Sequence, residues 1–314
     1  MQKTEFSPLT TALPLEIVGS FRAHTELGRQ ATAYMVEQYS NRSFPGEIPH
    51  SPERLEQLAA MDQALLAFGR DVGVELTDNL PPASIHHFFK DAESLKEALR
   101  SLGITPADDQ EGQCNSFGIF AIEQKDLFDT LNTVSHERFH FVDKSRVALR
   151  HDGGDAYTLN PIVKSTGLNE IITDIRTIHL MKGGYWDAQP NLPKRYNIYG
   201  YTSLDVLGDE LIQASAEKQE LEPITLLQGL ERDAFMGESN GLRRLLAPFG
   251  THAKKLFVQL NHQDPMLARE LAFDFGLPEA AVKMDALQAG IHTSGILDWV
   301  DINKESKERS LRAA

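Results

Sequence analysis

Residues 133–143 read TVSHERFHFVD, and residues 167–174 read GLNEIITD. Each stretch places two ionisable side chains four apart inside an apolar run: His136 with His140, and Glu170 with Asp174. A helix turns about 100° per residue, so positions i and i+4 share a face. Phe128, Leu131, Phe139 and Val142 form an apolar face on a predicted helix over 125–142, and Ile171, Ile172, Ile175 and Ile178 do so on a helix over 165–184. Apolar faces bury, and buried polar pairs are costly unless they meet partners. A fold that buries both helices is therefore pressed to bring the two pairs together. The simpler alternatives are two core histidines satisfied by backbone carbonyls, and an acidic pair on a solvated face, where carboxylates usually lie.

The spacing suits a metal. Two imidazoles one turn apart can share a tetrahedral zinc, and Glu137 stands beside them on the same side. A catalytic zinc takes three protein ligands and keeps one position open. The continuation HExxHxxGxxH is absent, because Arg146 stands where the third histidine would be. Glu170 is then a candidate third ligand. Asp174, one turn further, is a candidate acceptor for the far nitrogen of a ligating histidine.

The remaining sequence divides into regions 1–80, 81–200, 201–302 and a polar tail, 303–314. The first reads helical. Ser51 is an N-cap candidate ahead of Pro52, and Leu55, Leu58, Met61, Leu65 and Phe68 recur at helical spacing. Leu27, Ala31, Tyr34 and Met35 do the same between Phe21 and Tyr39. The second region mixes strands and helices. Strands are expected at 83–89 and 116–124, a helix at 91–103 capped by Asp91 and stopped by Gly103, and a hairpin around Asp152-Gly153-Gly154-Asp155. The third region reads as helices punctuated by Pro223, Gly237, Pro248, Pro265 and Gly276. The fold class expected is α+β, a small mixed core with helical flanks.

Composition excludes some classes. A single cysteine, Cys114, permits no intrachain disulfide and no Cys-rich zinc finger, and it fits a reducing compartment. A formal net charge of −14 argues against a nucleic-acid partner, which wants a basic stripe. No window reaches the length of a membrane span, and residues 1–20 lack a basic start followed by an apolar run. A cytoplasmic protein without a membrane partner is the expectation. The other histidines lack metal spacing: His86 and His87 are adjacent on a predicted strand and face opposite ways, and His179 lies off the face of Glu170.

The order strand, HERFH helix, NEIITD helix resembles the gluzincin branch of the zincin metallopeptidases, the thermolysin-like group. The likeness covers about residues 85–210 and is strongest over 116–182. It implies a zincin-like core and one Zn2+ per chain held by His136, His140 and Glu170. Glu137 would be the general base, with Asp174 behind a ligating histidine. The substrate would be a peptide or protein lying along the strand at 116–124. This class often takes an oxyanion donor from downstream; of Tyr196, Tyr199 and Tyr201, Tyr201 is favoured for its place before a helix. The flanks, 1–80 and 210–314, match nothing in that pattern. They motivate an alternative, a zincin-fold binding or regulatory protein whose zinc is structural.

Overall fold

The computed structural model describes residues 19–40, 42–76, 79–108, 110–151, 155–161, 166–193, 202–260, 265–289 and 296–300. It is an α+β fold in which two small sheets share the chain with many helices. The first sheet is antiparallel, with β1 (Gly19–Arg22) beside β6 (Lys144–His151) and β6 beside β7 (Asp155–Pro161). The second is mixed: β2 (Glu47–Ile48), β3 (His86–Phe89), β5 (Gly118–Ile122) and β4 (Gly112–Asn115), in that spatial order. β3 and β5 run parallel, and the outer pairs are antiparallel.

Helix ends follow local chemistry. In α2 (Pro52–Asp71) the Ser51 side chain accepts the N–H of Arg54 at 3.1 Å, and Pro52 opens the helix. In α3 (Ala92–Ser101) Asp91 accepts the N–H of Ser94 at 2.8 Å, and Gly103 follows at φ +77°. The helix expected from Lys125 is α4 (Leu127–Val142). It starts later because Asp126 serves as its N-cap, accepting the N–H of Phe128 at 2.8 Å. α4 runs almost directly into β6. The β6–β7 hairpin then returns the chain, so that α5 (Thr166–Lys182) lies against α4.

Three expectations change. The first region is not wholly helical, since β1 and β2 lie within it; β1 has only four residues, too few to show a period, and it is recruited by pairing with β6. The strand expected at 116–124 is not an edge. β5 has β3 on one side and β4 on the other, so the free edge belongs to β4, whose Gly-Gln-Cys-Asn sequence has no apolar alternation. Leu27 and Leu55 are 40% and 45% exposed, because each sits in the first turn of its helix, ahead of the buried stripe.

α4 packs into one apolar cluster, and α5 contributes to two, since its Leu180 and Met181 join the cluster of α4. Phe128, Leu131, Val134, Phe139 and Val142 of α4 join one built with α1 (Glu26–Tyr39), α2 and the sheets. Leu168, Ile171, Ile172, Ile175 and Ile178 of α5 join another with the C-terminal helices, α6 (Ser203–Lys218) to α11 (Pro278–Gln288). α6 approaches α5 closely at Gly208, where an added methyl would fall 2.8 Å from Ile171 Cγ2. No helix among the described residues is long and apolar enough to cross a membrane.

Buried ion pairs clamp these elements. Arg138 of α4 pairs with Asp62 of α2, and Arg176 of α5 pairs with Asp143 at the end of α4. The Arg176 guanidinium also stacks over Phe139 and Phe235, 4.5 and 4.1 Å from the ring centroids. Removing one partner of such a pair leaves an uncompensated buried charge. Arg176→Met should therefore cost about 3–5 kcal/mol of stability in urea unfolding. The double variant with Asp143→Asn should recover part of that loss, and an unchanged midpoint in the single variant would contradict the clamp.

His86 yields a pH dependence. It is 1% exposed, and its Nδ1 lies 3.0 Å from the Pro82 carbonyl, which fixes a neutral ring donating from Nδ1. Burial pulls its pKa down to about 3, helped by the nearby His50 and His87 and opposed by the Pro82 hydrogen bond. The folded value lies below the unfolded one, so the unfolded chain binds the extra proton. Stability is full above the unfolded pKa and falls with acidity through this window, by about 1.4 kcal/mol per pH unit. The same unfolding series from pH 7 to pH 4 should show this slope in the wild type and a shallower one in His86→Asn.

Candidate metal centre

The two helical pairs do meet. His136 Nε2 lies 2.9 Å from Glu170 Oε2 and 3.0 Å from His140 Nε2, and His140 Nε2 lies 3.4 Å from the same glutamate oxygen. A tetrahedral zinc bound at ordinary distances sets its ligand atoms about 3.3 Å apart. The triangle therefore already has the edge lengths that such an ion needs. Among the described residues these three are the one group of His, Cys, Asp and Glu whose ligand atoms all lie within 4.8 Å of one another.

The opposite ring nitrogens are held as well. His136 Nδ1 lies 2.7 Å from Asp174 Oδ1, so Nδ1 carries a proton and Nε2 is turned to the centre. His140 Nδ1 has Thr173 Oγ1 at 3.3 Å and Asn169 Nδ2 at 3.0 Å. The Thr173 hydroxyl donates to the Asn169 carbonyl at 2.9 Å, which leaves its oxygen able to accept from His140. A ligating His140 would need Asn169 to present its amide oxygen, an orientation set by the hydrogen-bond network.

Charge at the centre follows from these contacts. Burial alone would depress His136, but the charge and hydrogen bond of Asp174, with a hydrogen bond to Glu170, raise its pKa well above the usual value. Burial alone would raise Glu170, but hydrogen bonds from His136 and His140 hold its carboxyl well below the usual range. The donor set is thus arranged to favour positive charge at its middle, as a divalent cation requires.

Glu137 is 7% exposed and borders the centre. Burial pushes its pKa up, while His136 and His140 pull it down; Glu170 raises it, and the Cys114 N–H lowers it through a hydrogen bond. That N–H comes from the free edge of β4. Ile122 donates to the Glu111 carbonyl at 3.0 Å, and antiparallel alternation then turns Gly112 and Cys114 away from β5. Their carbonyls accept from the side-chain amides of Gln110 and Gln113. Gly112 approaches α4 closely: an added methyl would lie 2.9 Å from Glu137 Oε1 and 2.6 Å from Thr133 Cγ2, so a larger residue would displace those side chains.

The structure thus brings together His136, Glu137, His140, Glu170 and Asp174. Tyr196, Tyr199 and Tyr201 lie outside the described residues. His86 and His87 go elsewhere, as expected of strand neighbours: His86 to Pro82, and His87 to Glu47, 2.7 Å away. His179 is buried against Glu231 at 2.5 Å. Sequence reasoning missed Asn169, Thr173, Gly112 and Cys114. The first two were findable, since Asn169 and Thr173 stand four apart on the α5 face beside Glu170. No family model matches this chain, and no curated protein or solved structure was found to match it.

Titrating zinc into metal-free protein should give saturation near one equivalent per chain. Glu170→Ala should weaken binding by about 10²-fold or more, since it removes a charged ligand rather than a supporting partner. Undiminished affinity in the variant would place the third ligand elsewhere.

Proposed function

We propose that this chain is a zinc-dependent peptidase with a zincin-like core, which hydrolyses peptide bonds with Glu137 as general base. The observation that carries the reading is the convergence of His136, His140 and Glu170 beside a buried, hydrogen-bonded glutamate that is not needed to hold a metal. Three ligands leave a tetrahedral ion one position for water or substrate. A structural zinc wants a fourth protein ligand, and the described residues supply none within the group.

Zinc bound there would bring the pKa of a water toward neutrality and polarise a substrate carbonyl. Glu137 would take the proton from that water and pass it to the leaving amine, a role favoured by its raised pKa. Asp174 would hold His136 in the ligating tautomer, and Thr173 would do so for His140. An extended peptide would add to the outer edge of β4 by displacing the Gln110 and Gln113 amides from the Gly112 and Cys114 carbonyls. Glu137 then exchanges the Cys114 N–H for the attacking water, which frees that N–H for substrate. Tyr201 is the proposed oxyanion donor. The proposed partner is a peptide or protein, with no nucleic acid and no membrane, in a cytoplasmic, reducing setting that keeps Cys114 a thiol.

Digestion of a peptide library, read by mass spectrometry, tests the reading. Wild type loaded with zinc should cleave, and Glu137→Gln should keep the metal while losing about 10²–10⁴-fold in rate. Cleavage by the variant at the wild-type rate sinks the mechanism. Zinc retention without any cleavage by the wild type favours the structural role instead.

A further inference from the structure

A second cluster of polar side chains lies at the far edge of the mixed sheet. The spatial order β2–β3–β5–β4 puts β4, which borders the metal centre, at one edge and β2 at the other. There the end of α1, the loop into β2, the start of α2 and the 3₁₀ turn at Ala83–Ile85 surround a cavity of about 400 Å³ that opens to solvent. Small-molecule sites usually span about 300–1,000 Å³.

Two opposite charges line this cavity without pairing. Arg42 is exposed, and its guanidinium lies over the rings of Tyr39 and Phe117, 4.5 and 5.5 Å from their centroids. Among the described residues no carboxylate forms an ion pair with it. Stacking of this kind leaves the N–H edge of a guanidinium free for a bidentate anion. Glu47 turns to other partners: its Oε1 lies 2.7 Å from His87 Nδ1, and its Oε2 accepts the Phe44 N–H at 2.8 Å. Each of those oxygens keeps a lone pair.

The rest of the polar lining is rich in acceptors. His50 Nε2 donates to the His86 carbonyl at 2.8 Å, His86 Nδ1 to the Pro82 carbonyl at 3.0 Å, and His87 Nδ1 to Glu47. In a neutral ring so placed the second nitrogen is an acceptor. Those nitrogens, His50 Nδ1, His86 Nε2 and His87 Nε2, are buried and meet no donor in the protein. His86 and His87 are 1% and 2% exposed, and buried polar groups normally find a partner. Ser84 gives its proton to Ser40 Oγ at 2.9 Å, and Ser40 gives its own to the Val36 carbonyl at 2.7 Å. The Ser84 oxygen, too, has only lone pairs to offer.

We propose that this cavity binds a small zwitterion, an amino acid or a dipeptide, with its ammonium group on the acceptor lining beside Glu47 and its carboxylate on Arg42. The ammonium brings a positive charge and three N–H donors, which answer Glu47 and the surplus of acceptors. The carboxylate brings two oxygens that match the guanidinium fork. One molecule thus joins two charges that the protein holds apart. An anion alone would be repelled by Glu47, and a cation alone would leave Arg42 with nothing to bind. None of these groups belongs to the metal centre, so the site stands independently of the zinc reading.

Saturation-transfer NMR on the full chain in chelator, where no metal contributes, tests the site with the common amino acids and a panel of dipeptides. Some member should bind, and the class that does so gives the separation of the two charges. For that probe, Arg42→Met keeps an apolar group on Tyr39 and Phe117 and should weaken binding about tenfold or more, as loss of a charged hydrogen-bond partner does. Glu47→Gln should do the same. The N-acetyl and carboxamide derivatives of the probe should each bind about tenfold or more weakly than the parent. If the Glu47 variant does not fold, the exposed Arg42 and the two derivatives decide. No binding by any member overturns the proposal. So does unchanged affinity in Arg42→Met. Equal affinity for the carboxamide would make this a cation site, and equal affinity for the N-acetyl derivative an anion site; either result overturns the zwitterion.

Discussion

The contact between the His136–His140 face of α4 and the Glu170–Asp174 face of α5 is the constraint that the surrounding architecture answers. Both faces carry groups that are expensive to bury unpaired. Each helix is therefore fixed from behind by apolar residues and turned toward the other by its polar ones. α5 spans both apolar clusters, and its C-terminal Leu180 and Met181 share the cluster of α4. Arg176, reaching from α5 to Asp143, and Arg138, reaching from α4 to Asp62, hold the helices in that orientation with fully buried guanidinium groups. Helix packing alone tolerates sliding; charge-assisted bonds with fixed partners do not.

His136 is driven to hold positive charge by Asp174 and Glu170, and Glu170 is driven to remain anionic by the two imidazoles. A divalent ion at this place displaces protons from the imidazoles, so binding is coupled to proton release and weakens as solution becomes more acidic. The same surroundings separate two carboxylates of similar chemistry. Glu170 faces the imidazoles and stays low, whereas Glu137 is buried against β4 and is raised. Environment rather than residue type thus divides the proposed ligand from the proposed base.

What could be read from the chain was whatever a single helix or turn encodes. The caps at Ser51 and Asp91, the i, i+4 pairs, and the hairpin between α4 and α5 depend on neighbours within a few residues, and all could be read there. What escaped was set by distant partners. β1 is a strand because β6 offers it an edge, and β4 is the exposed edge because β3 takes the other side of β5. Gly112 carries no signal of its own in the sequence, and its place appears only when Glu137 is seen beside it.

The α4–α5 contact also bears on what zinc binding alone would establish. An ion that binds only the folded chain there would stabilise the fold whether or not any chemistry followed. A rise in melting temperature with zinc therefore does not separate a catalytic centre from a structural one. Glu137 does. A structural ion gains nothing from a buried carboxyl that is not a ligand, and desolvating that carboxyl is a cost to folding. The protein bears that cost, holds the carboxyl with the Cys114 N–H, and keeps Gly112 bare to make room for it. That expense is intelligible under the proposed role, in which the glutamate has a proton to carry.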